Sequence, residues 1–361
     1  MKKYFKSFLF AFCVAVILSL TVLSSSAVEE DGKWISAWGT APTQIGVKGY
    51  SNITPFVGKI TSRSIITPTA SGTKVRVRFS NHYGTTPLTL DTVTVAKVKN
   101  GESADIVKDT CRIVTFNGGN PSVTIPAGGE VLSDPIPFNV TALEEVAVSI
   151  YVENFSQIQT MGLSGSRSYL SVGKDETRSE AMGISAAIDN PAIRELIKVF
   201  TGSYLDFKIS YSFIKVTPCI ATLDVYSDKD AYSVVVVGDS TVSNEYPQYL
   251  AEVIRSNGIT NVGVVGKGII GNRLGGEGLG YGALLFGESM IDRLTRDVIS
   301  QSGVKYAIVK IGANDIMHPV CTDIQTQYPG IKQPTSAELI QDFKTAFTRL
   351  HNAGIKVIAV G

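Results

Sequence analysis

The sequence predicts a chain in two parts: an antiparallel β-sandwich of jelly-roll type, then a doubly wound α/β domain built on a parallel sheet. Three observations carry this. Short alternating strands fill the stretch from Trp34 to about Leu223. A polar stretch, Asp224 to Ala231, interrupts them. Beyond it, unbroken apolar runs alternate with helical ones. Alternation suits a sheet buried on one face, whereas unbroken apolar runs suit a parallel sheet covered on both. A length of 361 residues accommodates two such domains.

In the first part, Lys74 to Phe79 places Val75, Val77 and Phe79 on one face and Lys74, Arg76 and Arg78 on the other. Glu145 to Val152 repeats the pattern, with Val146, Val148, Ile150 and Val152 facing in. Turn clusters punctuate these runs at Ser71-Gly72, Asn81 to Gly84, Asn117 to Asn120 and Ala127 to Gly129. Domain bounds of 28–223 and 232–361 follow, with residues 1–27 set apart.

Those first residues read as a signal peptide. Lys2, Lys3 and Lys6 precede an apolar run from Phe8 to Leu23, and Ser25-Ser26-Ala27 supplies small residues for cleavage. This predicts a secreted or cell-surface protein without stable membrane insertion after cleavage; an uncleaved anchor is the alternative. Removal of residues 1–27 leaves 30 basic and 32 acidic residues, a net charge of −2. With no run of five Lys or Arg, nucleic acid and anionic membrane are poor partners. Cys111, Cys219 and Cys321 are too few and too far apart for a disulfide framework; one pair or three free thiols remain open. His82, His318 and His351 form no metal-ligand spacing with them, and neither metal nor cofactor is expected.

In the second part, strand-like runs cover Ser233 to Val237, Asn261 to Val265, Lys305 to Ile311 and Ile355 to Val360. One helix starts near Pro247, carries Leu250, Val253 and Ile254, and stops at Asn257-Gly258. Another carries Ile291, Leu294 and Val298. A third opens on the capping box Thr335-Ser-Ala-Glu338, buries Leu339, Phe343, Phe347 and Leu350, and ends at Gly354. Doubly wound sheets place their chemistry at the carboxyl ends of the strands.

Three strand ends carry candidate functional residues. The first reads Gly238-Asp239-Ser240-Thr241, a serine on a sharp turn whose own N–H can bind an oxyanion. Val242 separates it from the Gly-x-Ser-x-Gly elbow. The second reads Gly266-Lys-Gly268-Ile-Ile-Gly271-Asn272-Arg273. It matches the dinucleotide string Gly-x-Gly-x-x-Gly, with Glu288 at 20 residues beyond Gly268. That reading requires a helix to begin inside the motif, and the glycines at 275, 276, 278, 280 and 282 oppose one at about 1 kcal/mol each. The third reads Gly312-Ala313-Asn314-Asp315, where an asparagine amide can face an oxyanion or simply cap an Asx turn.

Serine, glycine and asparagine blocks in this order and spacing resemble the SGNH (GDSL) hydrolase superfamily of esterases and lipases. Trp34 to Pro42, Val75 to Asn81, Gly84 to Leu88 and Leu294 to Val298 extend the likeness to two-domain secreted members, over nearly the whole mature chain. The resemblance implies a flavodoxin-like SGNH domain. It implies Ser240 as nucleophile, an oxyanion hole formed by the N–H groups of Ser240 and Gly271 and the side chain of Asn314, and Asp239 and Asp315 as braces. Gly266 departs from it, since members often carry Asn there, and different packing beneath the second block is expected. The family's base comes from an Asp-x-x-His after the last strand. The sequence given ends at Gly361, so that block is expected beyond it, and the chain as written is expected to be incomplete, poorly soluble and nearly inactive. Asp315-Ile-Met-His318 fits the string, yet adjoins the oxyanion asparagine; His318 is read as lining the pocket mouth, and less readily as the base. His351 is read as structural and His82 as a surface residue.

The function implied is an extracellular esterase acting on acetyl or other short acyl groups of polysaccharides, with a long-chain lipase less favoured. The alternative is a catalytically inactive carbohydrate-binding protein of the cell surface. Oligomeric state has no signature.

Overall fold

A computed structural model of the chain describes residues 31–44, 56–99, 103–154, 156–163, 166–183, 216–243, 245–275, 287–327 and 330–361. The expected signal peptide and the glycines at 276, 278, 280 and 282 lie outside the described residues.

The N-terminal half holds two five-stranded sheets. One runs in the order Gly32–Gly39, Ile220–Asp228, Gly72–Ser80 and Glu130–Leu132, with Ile136–Val140 also paired to Gly72–Ser80. The other runs in the order Arg167–Val172, Ile60–Ile66, Val146–Val152, Thr92–Lys97 and Arg112–Ile113, and is antiparallel throughout. Their inner faces share one core, in which Val75, Val77, Phe79, Leu223 and Val225 meet Val93, Val95, Val146, Val148 and Ile150.

Two expectations are corrected here. Every residue of Val146–Val152 is buried, not only alternate ones. The second face is covered as well, because Ala147 and Ile65 pack with Ala104, Ile106 and Met182 from neighbouring loops. Asp224 is likewise not in a linker. The strand continues to Asp228, and Asp224 is buried within it, accepting hydrogen bonds from Ser36 Oγ (2.7 Å) and Arg76 Nε (2.9 Å). A single polar position inside a strand reads as a break when its partners are remote in sequence.

The C-terminal half is a four-stranded sheet, parallel throughout, with Val262–Gly268, Tyr232–Gly238, Val304–Lys310 and Lys356–Ala359 side by side. In chain order this is second, first, third, fourth. Apolar side chains leave both faces. Val235, Val237 and Val309 pack with Met290, Leu294, Val298 and Leu350, while Val234, Val236 and Val264 pack with Val242 and Ala251. The Tyr246–Ser256 helix presents Ala251 and Pro247 to the sheet, while Val253 is exposed. The Ser336–Asn352 helix opens on a complete capping box, Thr335 with Glu338.

Polar contacts weld the halves together, and Lys33–Gly361 packs as one unit. Ser233 Oγ donates to the carbonyls of Ser36 (2.9 Å) and Ser302 (2.8 Å), and Thr69 Oγ1 donates to that of Val264 (2.9 Å). Lys267 is fully buried, and its ammonium donates to Thr40 O (2.9 Å), Ala221 O (3.0 Å) and Thr222 Oγ1 (3.2 Å). Burial pushes this lysine down to about 8.

Candidate active site at the parallel strand ends

The first parallel strand delivers Gly238 and Asp239 into a short 3-10 turn, Ser240–Val242. Asp239 caps that turn: its carboxylate accepts from the Thr241 N–H (2.9 Å) and hydroxyl (2.7 Å), satisfying donors that the turn leaves open. Ser240 is exposed. Among the described residues its Oγ makes no hydrogen bond, while its carbonyl accepts one from Ser243 Oγ at 3.0 Å.

The second strand ends against this turn. A Cβ on Gly268 would lie 2.6 Å from Ser243 N and 2.8 Å from Asp239 O, so only glycine allows the approach. The Ile269 N–H then donates to Gly238 O at 3.1 Å. Gly271 follows in a turn at φ 72°, a left-handed conformation that glycine adopts without steric cost. No helix begins between residues 266 and 275, and Glu288 is engaged elsewhere, so the dinucleotide geometry does not form.

The third strand ends at Gly312 and the Ala313–Met317 helix. Here the second and third blocks meet. Asn314 Nδ2 donates to the carbonyl of Asn272, next to Gly271, at 2.9 Å. Asp315 is buried and accepts from the N–H groups of Leu274 (2.9 Å) and Gly275 (3.4 Å), with Arg273 Nε at 3.6 Å. Burial raises its carboxyl group above the usual range despite these donors and Arg273.

One organising residue was not singled out from the sequence. Arg293 is 1% exposed, and its guanidinium ties together the ends of the first two strands and the turn after the second. It donates to Gly238 O (3.0 Å), Lys267 O (2.8 Å), Asn272 Oδ1 (2.8 and 3.2 Å) and Asp297 Oδ2 (2.9 Å). Burial would raise the Asp297 carboxyl group, but Arg296 and Arg293 outweigh it and hold the group at about 2. The sequence does hold a signal. Arg293 and Asp297 are four apart and flank Met290, Leu294 and Val298, so both charges lie on the apolar stripe of that segment.

The histidines separate. His318 is 5% exposed, deeper than the pocket-mouth reading supposed. Burial, then Arg273, lowers its pKa and favours the neutral imidazole. His82 is half-buried rather than on the surface, with Nε2 at 3.0 Å from Glu288 Oε1. Burial would raise Glu288, but His82 and Arg296 together hold it at about 2. His351 is exposed in the last turn of its helix. Cys111, Cys219 and Cys321 are free, and burial pushes the Cys219 thiol up to about 12. Among the described residues no group of three His, Cys, Asp or Glu could hold a metal. No protein-family model matches this chain, and no curated protein matches its sequence.

Proposed function

We propose that the chain is a secreted serine ester hydrolase of the SGNH type, with a jelly-roll half and a flavodoxin-like half, acting on acetyl or short acyl esters of polysaccharides. Ser240 Oγ attacks the ester carbonyl. The developing oxyanion is held by the backbone N–H groups of Ser240 and Gly271 and by the Asn314 amide. The tetrahedral adduct collapses with expulsion of the sugar oxygen, which leaves as a hydroxyl with the proton taken from Ser240. Water then hydrolyses the acyl-serine to the free acid and the serine hydroxyl. Neither metal nor cofactor takes part, and the substrate is a neutral polymer rather than nucleic acid or membrane.

The observation that carries this reading is the tie between Asn314 Nδ2 and Asn272 O, which sets a side-chain amide beside Gly271 at the strand ends. The second-first-third-fourth strand order supports it, since such sheets bind ligands outside their carboxyl ends. A hydroxyl needs a general base at neutral pH. On this reading an Asp-x-x-His supplies one, and the buried neutral His318 is the other candidate.

Fluorophosphonate labelling and p-nitrophenyl acetate hydrolysis test the proposal, with both expected to vanish in Ser240→Ala. Asn314→Ala is expected to lower turnover about 10²–10³-fold, the typical loss of one oxyanion donor. His318→Ala separates the two candidate bases. The unbonded Ser240 Oγ favours a second reading, an inactive carbohydrate-binding protein, and absence of both labelling and hydrolysis selects it.

A further inference from the structure

We propose that the cleft between the Tyr246–Ser256 helix and the N-terminal half is a saccharide subsite adjoining Ser240; its place in catalysis rests on the hydrolase reading. The cleft has a volume of about 370 Å³, within the range of small-ligand sites. Trp38, Glu145, Arg167, Gln248, Tyr249 and Glu252 line it. Arg167 is paired with Glu145 at 2.6 Å, and with Glu245 and Glu252 also on the wall the acids outnumber this one cation, which disfavours a phosphate or carboxylate ligand. Carboxylates and an amide beside aromatic rings suit a neutral polyhydroxylated ligand, whose hydroxyls donate to the acids and whose C–H face stacks on a ring. Tyr249 is 59% exposed on the helix, so its ring is free to stack on a ligand.

The position of the cleft links it to the nucleophile. Val264 and Gly266 line it, and Gly268 abuts the Ser240 turn. Residues two apart share one face of a strand, so cleft and turn follow each other along that face, about 7 Å per step. Gly266 shapes the wall. A Cβ there would lie 2.6 Å from Pro247 Cγ, so the helix sits this close only because position 266 carries no side chain. A polymer with one ester at Ser240 would lay an adjacent sugar in the cleft.

The experiment is calorimetric titration of the full Ser240→Ala chain with unesterified xylohexaose, mannohexaose and cellohexaose. At least one is expected to bind, and Tyr249→Ala and Glu252→Gln, both at exposed positions, are expected to weaken it at least tenfold with unchanged thermal melting. No binding by any of the three, or binding indifferent to both substitutions, overturns the proposal. So does displacement of the sugar by spermine, which would mark the acids as an amine site. Labelling of Ser240 without sugar binding sinks the subsite alone; sugar binding without labelling sinks the hydrolase and leaves the subsite standing.

Discussion

Each half of the molecule buries an arginine, and the two are neutralised in different ways. Arg63, in the N-terminal half, donates to Ser149 Oγ (2.9 Å) and to the carbonyls of Ala104 (2.6 Å), Glu176 (2.8 Å), Thr177 (3.2 Å) and Ser179 (3.0 Å). No carboxylate oxygen is among these acceptors. Arg293, in the C-terminal half, uses carbonyls too, but adds the buried Asp297 carboxylate and the Asn272 amide oxygen. Arg63 fastens a loop beneath a sheet. Arg293 fastens the ends of two strands and the turn that carries Gly271. The difference teaches that carbonyl dipoles suffice to hold a scaffold, whereas a counter-charge is added where several loop ends must keep one geometry.

Arg293→Met should have the largest effect. It leaves Gly238 O and Lys267 O without that donor and strips one of the two arginines from Asp297, so a loss of about 3–5 kcal/mol is expected in urea unfolding. Fluorophosphonate labelling of Ser240 should collapse with it; labelling at the wild-type rate would remove Arg293 from the site. Arg63→Met should cost less, about 2–3 kcal/mol, because its loop carbonyls can turn to water. Faster proteolysis within residues 174–183 and unchanged Ser240 labelling would sharpen the contrast, and lost labelling would break it.

Lys267 is a third buried cation and joins the halves. Its folded value of about 8 lies below the ordinary 10.5. The folded chain therefore sheds this proton as pH rises past 8, while the unfolded chain keeps it until about 10.5. Unfolding in that window takes up a proton, so stability rises with pH. Relative to Lys267→Met, the wild type should gain about 2 kcal/mol between roughly pH 7.5 and 9.5. Equal pH slopes in the two proteins would show that the ammonium is not buried in solution.

The smallest effect belongs to a surface cap. Thr335→Ala removes one leg of an exposed capping box and should cost about 1 kcal/mol without altering labelling. A larger loss would mean that this helix end bears on the site.

Local pattern made much of this legible. The Val75, Val77 and Phe79 alternation appears as a buried row, and the Thr335 to Glu338 string as a hydrogen-bonded box, because both depend on residues within one element. Asp224 misled because its partners, Ser36 and Arg76, lie 188 and 148 residues away. The exposure of Val253 was not legible, because helical period names a stripe without saying how far the sheet beneath it extends. The spacing of Arg293 and Asp297 sets both on one helical face, but only the fold reveals which carbonyls Arg293 reaches.

The amino-acid order alone determined the change of periodicity between the halves, the serine, glycine and asparagine strand ends, and the capped helices. Each is a near-neighbour property of the backbone. Tertiary structure alone decided that both halves interlock through Ser36, Thr69, Ser233 and Lys267. It also decided that Asn314 meets Asn272 and that a cleft opens over Gly266. Those are contacts between residues remote in sequence, and a buried charge or an unfilled position acquires meaning only from the groups that folding brings against it.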